Sequence, residues 1–219
     1  WMTMENMSKE NSFVAEQFED ATQQAEAAHL GIWIFLATEV LFFGGLFFCY
    51  AIYRHFYEAD FAAGVKHTLI LYGTINSVLL LTSGLTMALA VQAADENRKT
   101  VIVPLLLVTI VLGIAFLVVK GFEYAKDISD HVVPGSHFDT SLPQHTQMFF
   151  WLYWAMTGLH TIHLIVGIGL LAIITVMARC GRFSARYYSP LEVTGLYWAF
   201  VDIVWIFLYP LLYLIGRYS

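Results

Sequence analysis

The sequence predicts an all-α, polytopic membrane protein, a helix bundle with five transmembrane helices. Two observations carry this. Hydrophobic residues make up 58 % of the chain and charged residues only 13 %, well below the roughly 25 % typical of soluble domains. The apolar residues also collect into five long runs, at 29–53, 67–94, 101–122, 148–178 and 191–215. Each run exceeds the roughly 20 residues a helix needs to cross the hydrocarbon core. At that length a helix satisfies its own backbone, and irregular backbone cannot face lipid.

Residues 1–28 form an acidic arm ahead of the first run. Its stretch from Ser8 to Ala28 is rich in Glu, Gln and Ala, and Phe13, Val14, Phe18, Ala21 and Ala25 fall at near-helical spacing. That spacing predicts a short surface helix. The acidic face argues against docking on anionic lipid. The arm is too polar for a cleavable signal. An opening Trp1 in place of Met predicts a longer translation product. Residues 29–219 then form the five-span domain.

The first run holds Glu39, within Thr38-Glu39-Val40-Leu41-Phe42-Phe43. An ionised carboxylate at a helix centre costs about 2.5–3.5 kcal/mol on insertion scales. Two readings meet that cost: a carboxyl hydrogen-bonded to a neighbouring helix, or a proton-related or lipid-contacting group. In the second run Gly73, Ser77, Gly84 and Ala88 make one narrow face of small residues, which predicts a seam for close helix packing. Lys120 and Glu123 flank the exit of the third run, where they can pair or snorkel to the interface.

Residues 124–147 read as the one long loop, punctuated by Pro134-Gly135 and Pro143. Asp127, Asp130, Asp139, His131, His137 and His145 decorate it. None has the spacing of a dedicated metal site, and a polar loop against a partner subunit is expected. His160 and His163 lie three apart in the fourth run and share a helix face. They predict interhelical hydrogen bonds. Asp202, in the fifth run, needs a polar partner, and His160 or His163 would supply one. Trp151, Tyr153, Trp154, Tyr197 and Trp198 sit near run starts, as an aromatic belt would.

Charge and cysteine content exclude several functions. The net charge of −6 argues against nucleic acid. Cys49 and Cys180 lie in different segments and are expected to stay apart and reduced. Loop charges, chiefly Arg179, Arg182 and Arg186, favour an N-terminus inside and a C-terminus outside. The chain has no nucleotide loop, nucleophile–base pair or cysteine cluster. Three classes remain: an accessory membrane subunit, a haem-b anchor using His160 or His163, and a proton-coupled transporter using Glu39 and Asp202.

Several segments resemble subunit III of the haem-copper respiratory oxidases, the cytochrome c oxidase type. They are the Thr38–Phe43 segment; Asn76-Ser77-Val78-Leu79-Leu80-Leu81-Thr82-Ser83-Gly84 with Asn97-Arg98-Lys99; Gly121-Phe122-Glu123-Tyr124 with Ile128-Ser129-Asp130; Thr157-Gly158-Leu159-His160-Thr161-Ile162-His163-Leu164-Ile165-Val166-Gly167; and Tyr197-Trp198-Ala199-Phe200-Val201-Asp202-Ile203-Val204-Trp205-Ile206-Phe207-Leu208-Tyr209. The resemblance runs over about 29–215. Three departures stand beside it. Many members have seven spans, and the resemblance implies a form without the first two, as in some bacterial members. Ala199 replaces the family's usual His. The loop after Asp127 is longer than in mitochondrial forms, which favours a bacterial source.

The resemblance implies a non-catalytic subunit that carries no haem or copper and packs on subunit I of a proton-pumping oxidase. It implies phospholipids held in a cleft between helices and support for proton uptake and lasting turnover. Glu39 matches the family's membrane-buried, carbodiimide-reactive acid. His160, His163, Asp202 and Glu123 are expected to form a buried polar network. Haem and copper belong to partner subunits. Subunits I and II are the expected partners, with a small subunit IV as a further candidate. The implied location is a bacterial inner membrane, with the N-terminus cytoplasmic and the C-terminus periplasmic. The electron donor implied is cytochrome c; related subunits serve quinol oxidases and stand beside nitric oxide reductases.

Overall fold

The computed structural model describes residues 18, 21–135, 138, 141–180 and 188–217. Helices joined by turns and short loops make up the described residues, with no strands among them. They are α1 (Ala21–Phe56), α2 (Glu58–His67), α3 (Ile70–Asp95), α4 (Lys99–Ser129), α5 (Thr146–Arg179) and α6 (Ser189–Tyr209). A π-helical turn, Pro210–Leu214, continues α6. Five segments are long and apolar enough to cross a membrane: 22–56, 70–95, 99–129, 146–179 and 189–214.

The helices extend the sequence expectation at several ends. Residues 21–28 of the acidic arm are the first turns of α1 rather than a separate element; Ser8, Phe13 and Val14 lie outside the described residues. The fourth helix runs on past Phe122 to Ser129, so Glu123 and Asp127 are helical and the polar loop is shorter than expected. His137, Asp139, Arg182 and Arg186 lie outside the described residues. The short α2 went unforeseen. Its first turn carries Glu58 and Asp60 and its last Lys66 and His67, a charge order that complements the helix dipole. Phe61 and Val65 bury its inner face.

The last helix is the hub. It touches α1, α3 and α5, and half of its spanning window is buried, against 11 % of that of α1. The seam read in the second run receives it. Gly73 lies against the Tyr213 and Tyr209 rings. The indoles of Trp205 and Trp198 donate to Ser77 Oγ (3.0 Å) and Ser83 Oγ (3.1 Å). Small side chains thus admit large rings, and hydroxyls satisfy the indole N–H groups. The aromatic belt largely fails as a reading: Tyr153, Tyr197 and Trp198 are buried, Trp154 stacks on Tyr124, and only Trp151 of the five is exposed.

The loops meet in two groups. At one end Arg217 donates to Thr68 O at 2.8 Å, Arg54 to Ile215 O at 2.8 Å, and His145 contacts Asp60 at 3.0 Å. At the other end His29 meets Glu192 at 3.2 Å and Tyr188 donates to Asp95 at 3.1 Å. Helix alternation alone requires this separation, and it brings Arg54 and Arg217 to one end.

Candidate functional site

Four polar residues singled out from sequence do not form one network. The structure puts each in a place of its own. The first is a closed knot around Glu123. Lys120 Nζ donates to Glu123 Oε2 (2.9 Å), Tyr153 Oη (3.0 Å) and Tyr213 Oη (2.9 Å). Both phenols donate in turn to Glu123 Oε1, at 2.9 and 2.7 Å. All four residues are essentially fully buried. Lys120 and Glu123 therefore pair inside the bundle and do not snorkel. Tyr213 arrives through the π turn. Pro210 closes the regular helix, and the widened turn carries the phenol into the core. The knot ties α4, α5 and the chain's last turn together.

The second place is Glu39. It sits midway along α1 and reaches His163 of α5, with Oε2 3.1 Å from Nε2. The pair is half-buried, at 19 % and 17 % side-chain exposure. The other ring nitrogen of His163 lies 2.8 Å from Leu159 O. A carbonyl can only accept, so this contact assigns the proton to Nδ1. Nε2 then either accepts from a protonated Glu39 or, in an imidazolium, donates to a carboxylate. Either arrangement leaves one proton in the contact and no net charge on the pair. Phe43 and Phe200 flank the imidazole, and Tyr197 donates to His163 O at 2.9 Å.

Beside the pair, α1 and α6 enclose an open apolar cavity of about 390 Å³. Val40 and Phe43 line it next to Glu39, and Trp33, Phe47, Ala199 and Phe207 are among the rest of its wall. Its volume falls within the range of small-molecule sites.

The third and fourth places hold His160 and Asp202 separately. His160 is buried between the rings of Phe116 and Trp205, with centroids 5.6 and 5.1 Å away. Neither ring nitrogen has a hydrogen-bond partner among the described residues. Asp202 is joined to neither histidine. It faces α3 at Gly84, on the other side of α6's exposed ridge. The expected His–Asp contact fails because the two groups project from their helices into different interhelical spaces. Among the described residues no three of His, Cys, Asp and Glu come close enough to hold a metal ion.

Sequence reading offered the Lys120–Glu123 pair as one of two alternatives, but it missed Tyr153 and Tyr213 as the pair's core partners. A lysine and a glutamate three residues apart near a run's end carry the same signal whether they leave the membrane or pair within it.

These features define a polytopic helical membrane protein in which Glu123 and Glu39 are held by side chains of neighbouring helices, while Asp202 stands without a partner among the described residues beside a cavity. A family profile described as cytochrome c oxidase subunit III matches residues 2–217. The chain belongs to the cytochrome c oxidase subunit III family. Among its relatives is a cytochrome c oxidase subunit 3 of Alkalihalophilus pseudofirmus, 30 % identical over 198 residues, covering 90 % of this chain and 91 % of the relative. A probable quinol oxidase subunit 3 of Staphylococcus haemolyticus is 28 % identical over 202 residues, covering 89 % of this chain and 92 % of the relative. A haem-copper oxidase subunit I+III of Aeropyrum pernix is 29 % identical over 190 residues, covering 84 % of this chain and 22 % of that longer one. Membership implies a complex with subunit I of a haem-copper oxidase.

Proposed function

We infer that this chain is a non-catalytic accessory subunit of a bacterial oxidase that couples cytochrome c oxidation to proton pumping. It packs on subunit I, with subunit II and a small subunit IV as further neighbours, and holds phospholipid chains against α1 and α6. The observation that carries this reading is the Glu39–His163 contact beside an apolar cavity. The pair is built to keep an acid in the membrane at low cost, and the cavity is built for a hydrocarbon chain. A relative in which subunits I and III share one chain supports the packing on subunit I. The quinol oxidase relative keeps a quinol-oxidising complex as the second reading.

Haem and copper are assigned to the partner subunits. His160 and His163 share one helix. His163 is bonded on both nitrogens, and His160 lies between two rings. Axial ligation by two histidines calls for facing helices. Reduced-minus-oxidised spectra of the chain expressed alone should show no haem band; stoichiometric absorbance would overturn the accessory reading. The N-terminus is placed in the cytoplasm and the C-terminus in the periplasm of an inner membrane. Cysteines introduced in the 130–135 stretch should then react with an impermeant maleimide from the periplasmic side only.

Replacing Glu39 tests the supporting role. Glu39→Ala should leave assembly and initial oxygen reduction nearly intact, while the complex completes fewer turnovers before inactivation and retains less phospholipid. Glu39→Gln should behave closer to the parent, because its amide can still donate to His163 Nε2. Parental turnover lifetime and lipid content in Glu39→Ala would reduce Glu39 to a packing carboxyl.

A further inference from the structure

A second cavity, on the other side of α6, is lined by a carboxyl that the proposed function does not use. It lies between α3 and α6 and has a volume of about 540 Å³. Gly84 and Ala88 of α3 and Gly195 and Ala199 of α6 line it, each pair spaced by four. The small side chains leave a slot between two helices that are otherwise in contact. Asp202 also lines the slot and is only 8 % exposed. No hydrogen bond or ion pair reaches either of its oxygens among the described residues, and Oδ1 is wholly buried. Oδ2 lies so close to Gly84 that a methyl there would overlap it. Gly84 is therefore the residue that lets the carboxyl occupy this position.

The chemistry of an occupant follows from these walls. A carboxyl on an apolar surface, with no partner of its own, calls for a hydrogen-bond donor. The other acid of the slot, Glu192, sits at the membrane-end rim and already contacts His29. Asp202 is ten residues further along α6, or about 15 Å deeper. That is about half of a 30 Å hydrocarbon core. A phospholipid keeps its ammonium and glycerol groups at the interface, so its donors fall short of Asp202. A helix, about 10 Å across, rests on the rim of a slot between two touching helices and does not enter it. A flat ring bearing a hydroxyl, on an otherwise apolar body, suits the small-residue walls, the depth and the carboxyl together.

We propose that the α3–α6 slot is a binding site for a hydroquinone-type lipid, whose ring hydroxyl donates to Asp202 and whose tail runs along Gly195 and Ala199 toward the membrane surface. The inference concerns binding alone, assigns no electron transfer, and stands independently of the Glu39 reading. It holds for a complex of either electron donor.

Binding is tested on the intact purified complex in nanodiscs, using a decyl-tailed hydroquinone and native mass spectrometry. The complex should bind the probe, and Ala88→Phe, which fills the slot from an exposed position that does not line the first cavity, should weaken binding at least tenfold. Asp202→Leu should do the same, while a decylbenzene control, with no hydroxyl, should bind at least tenfold more weakly than the probe. Equal binding of probe and control would overturn the proposal, since the carboxyl would then play no part. Binding unchanged in both variants would place the probe elsewhere and overturn it too. If either variant fails to assemble, Ala88→Cys supplies the second measurement. Its labelling by a membrane-permeant maleimide should slow at least fivefold with probe bound. Unaltered labelling, or a cross-link from that cysteine to a helix of another subunit, would overturn the assignment.

Discussion

Glu123 and Asp202 are both buried carboxyls in spanning helices, yet their surroundings are opposite. Glu123 accepts from a lysine and two tyrosines, and every polar atom of that group is matched. Asp202 has no partner among the described residues and borders a cavity. The difference separates two uses of an intramembrane acid. A saturated group has spent its hydrogen-bonding capacity inside the chain and holds helices together. An unsaturated group retains that capacity for something that arrives from outside. Glu39 lies between the extremes, with one partner and partial exposure.

The comparison can be broken most forcefully at the knot. Lys120→Met should destabilise the bundle by about 3–5 kcal/mol, because Glu123 is left as a buried charge without its counter-ion. Detergent-titrated unfolding of the chain in its complex would measure this. A double change, Lys120→Met with Glu123→Leu, should recover much of the loss. A silent Lys120→Met would mean the knot does not hold the helices.

Ser83→Ala should cost about 1–2 kcal/mol, since it strands the buried Trp198 indole N–H. The same unfolding titration applies, with near-ultraviolet circular dichroism to follow the indole. Asp202→Leu should be the mildest of the three, within about 1 kcal/mol of the parent, because it removes a group and strands no partner. Destabilisation of Asp202→Leu as large as that of Lys120→Met would erase the contrast between the two carboxyls.

Much of this was legible in the sequence, and the rest was lost for identifiable reasons. Five apolar runs gave five spanning helices, because run length and composition act along the chain. The small-residue face of α3 was also legible, since a face is a local property of spacing. Pairings across helices were not. His160 and His163 were expected to join one buried polar network, but three residues of α-helix leave them about 60° apart around the axis. One therefore meets α1 and the other a pocket of rings. The end of α4 was misplaced because Lys120, Glu123 and Asp127 look like a hydrophilic exit until Tyr153 and Tyr213 are brought to them. Tyr213 in turn depends on the π turn after Pro210, which no periodicity reveals.

The Glu39–His163 contact joins residues 124 positions apart, and that distance has a meaning in time. Chains are synthesised at roughly 5–20 residues per second, so about 6–25 s separate the two residues as they emerge. Through that interval α1 is already made, while α5, which carries its partner, is not. Glu39 must pass this period unpaired by His163, in water, in the insertion machinery or in lipid. The first span thus depends on the fourth for its comfort in the bilayer. A nascent chain stalled before His163 should be the form of this protein most exposed to quality-control proteolysis, and replacing Glu39 with leucine should protect that form.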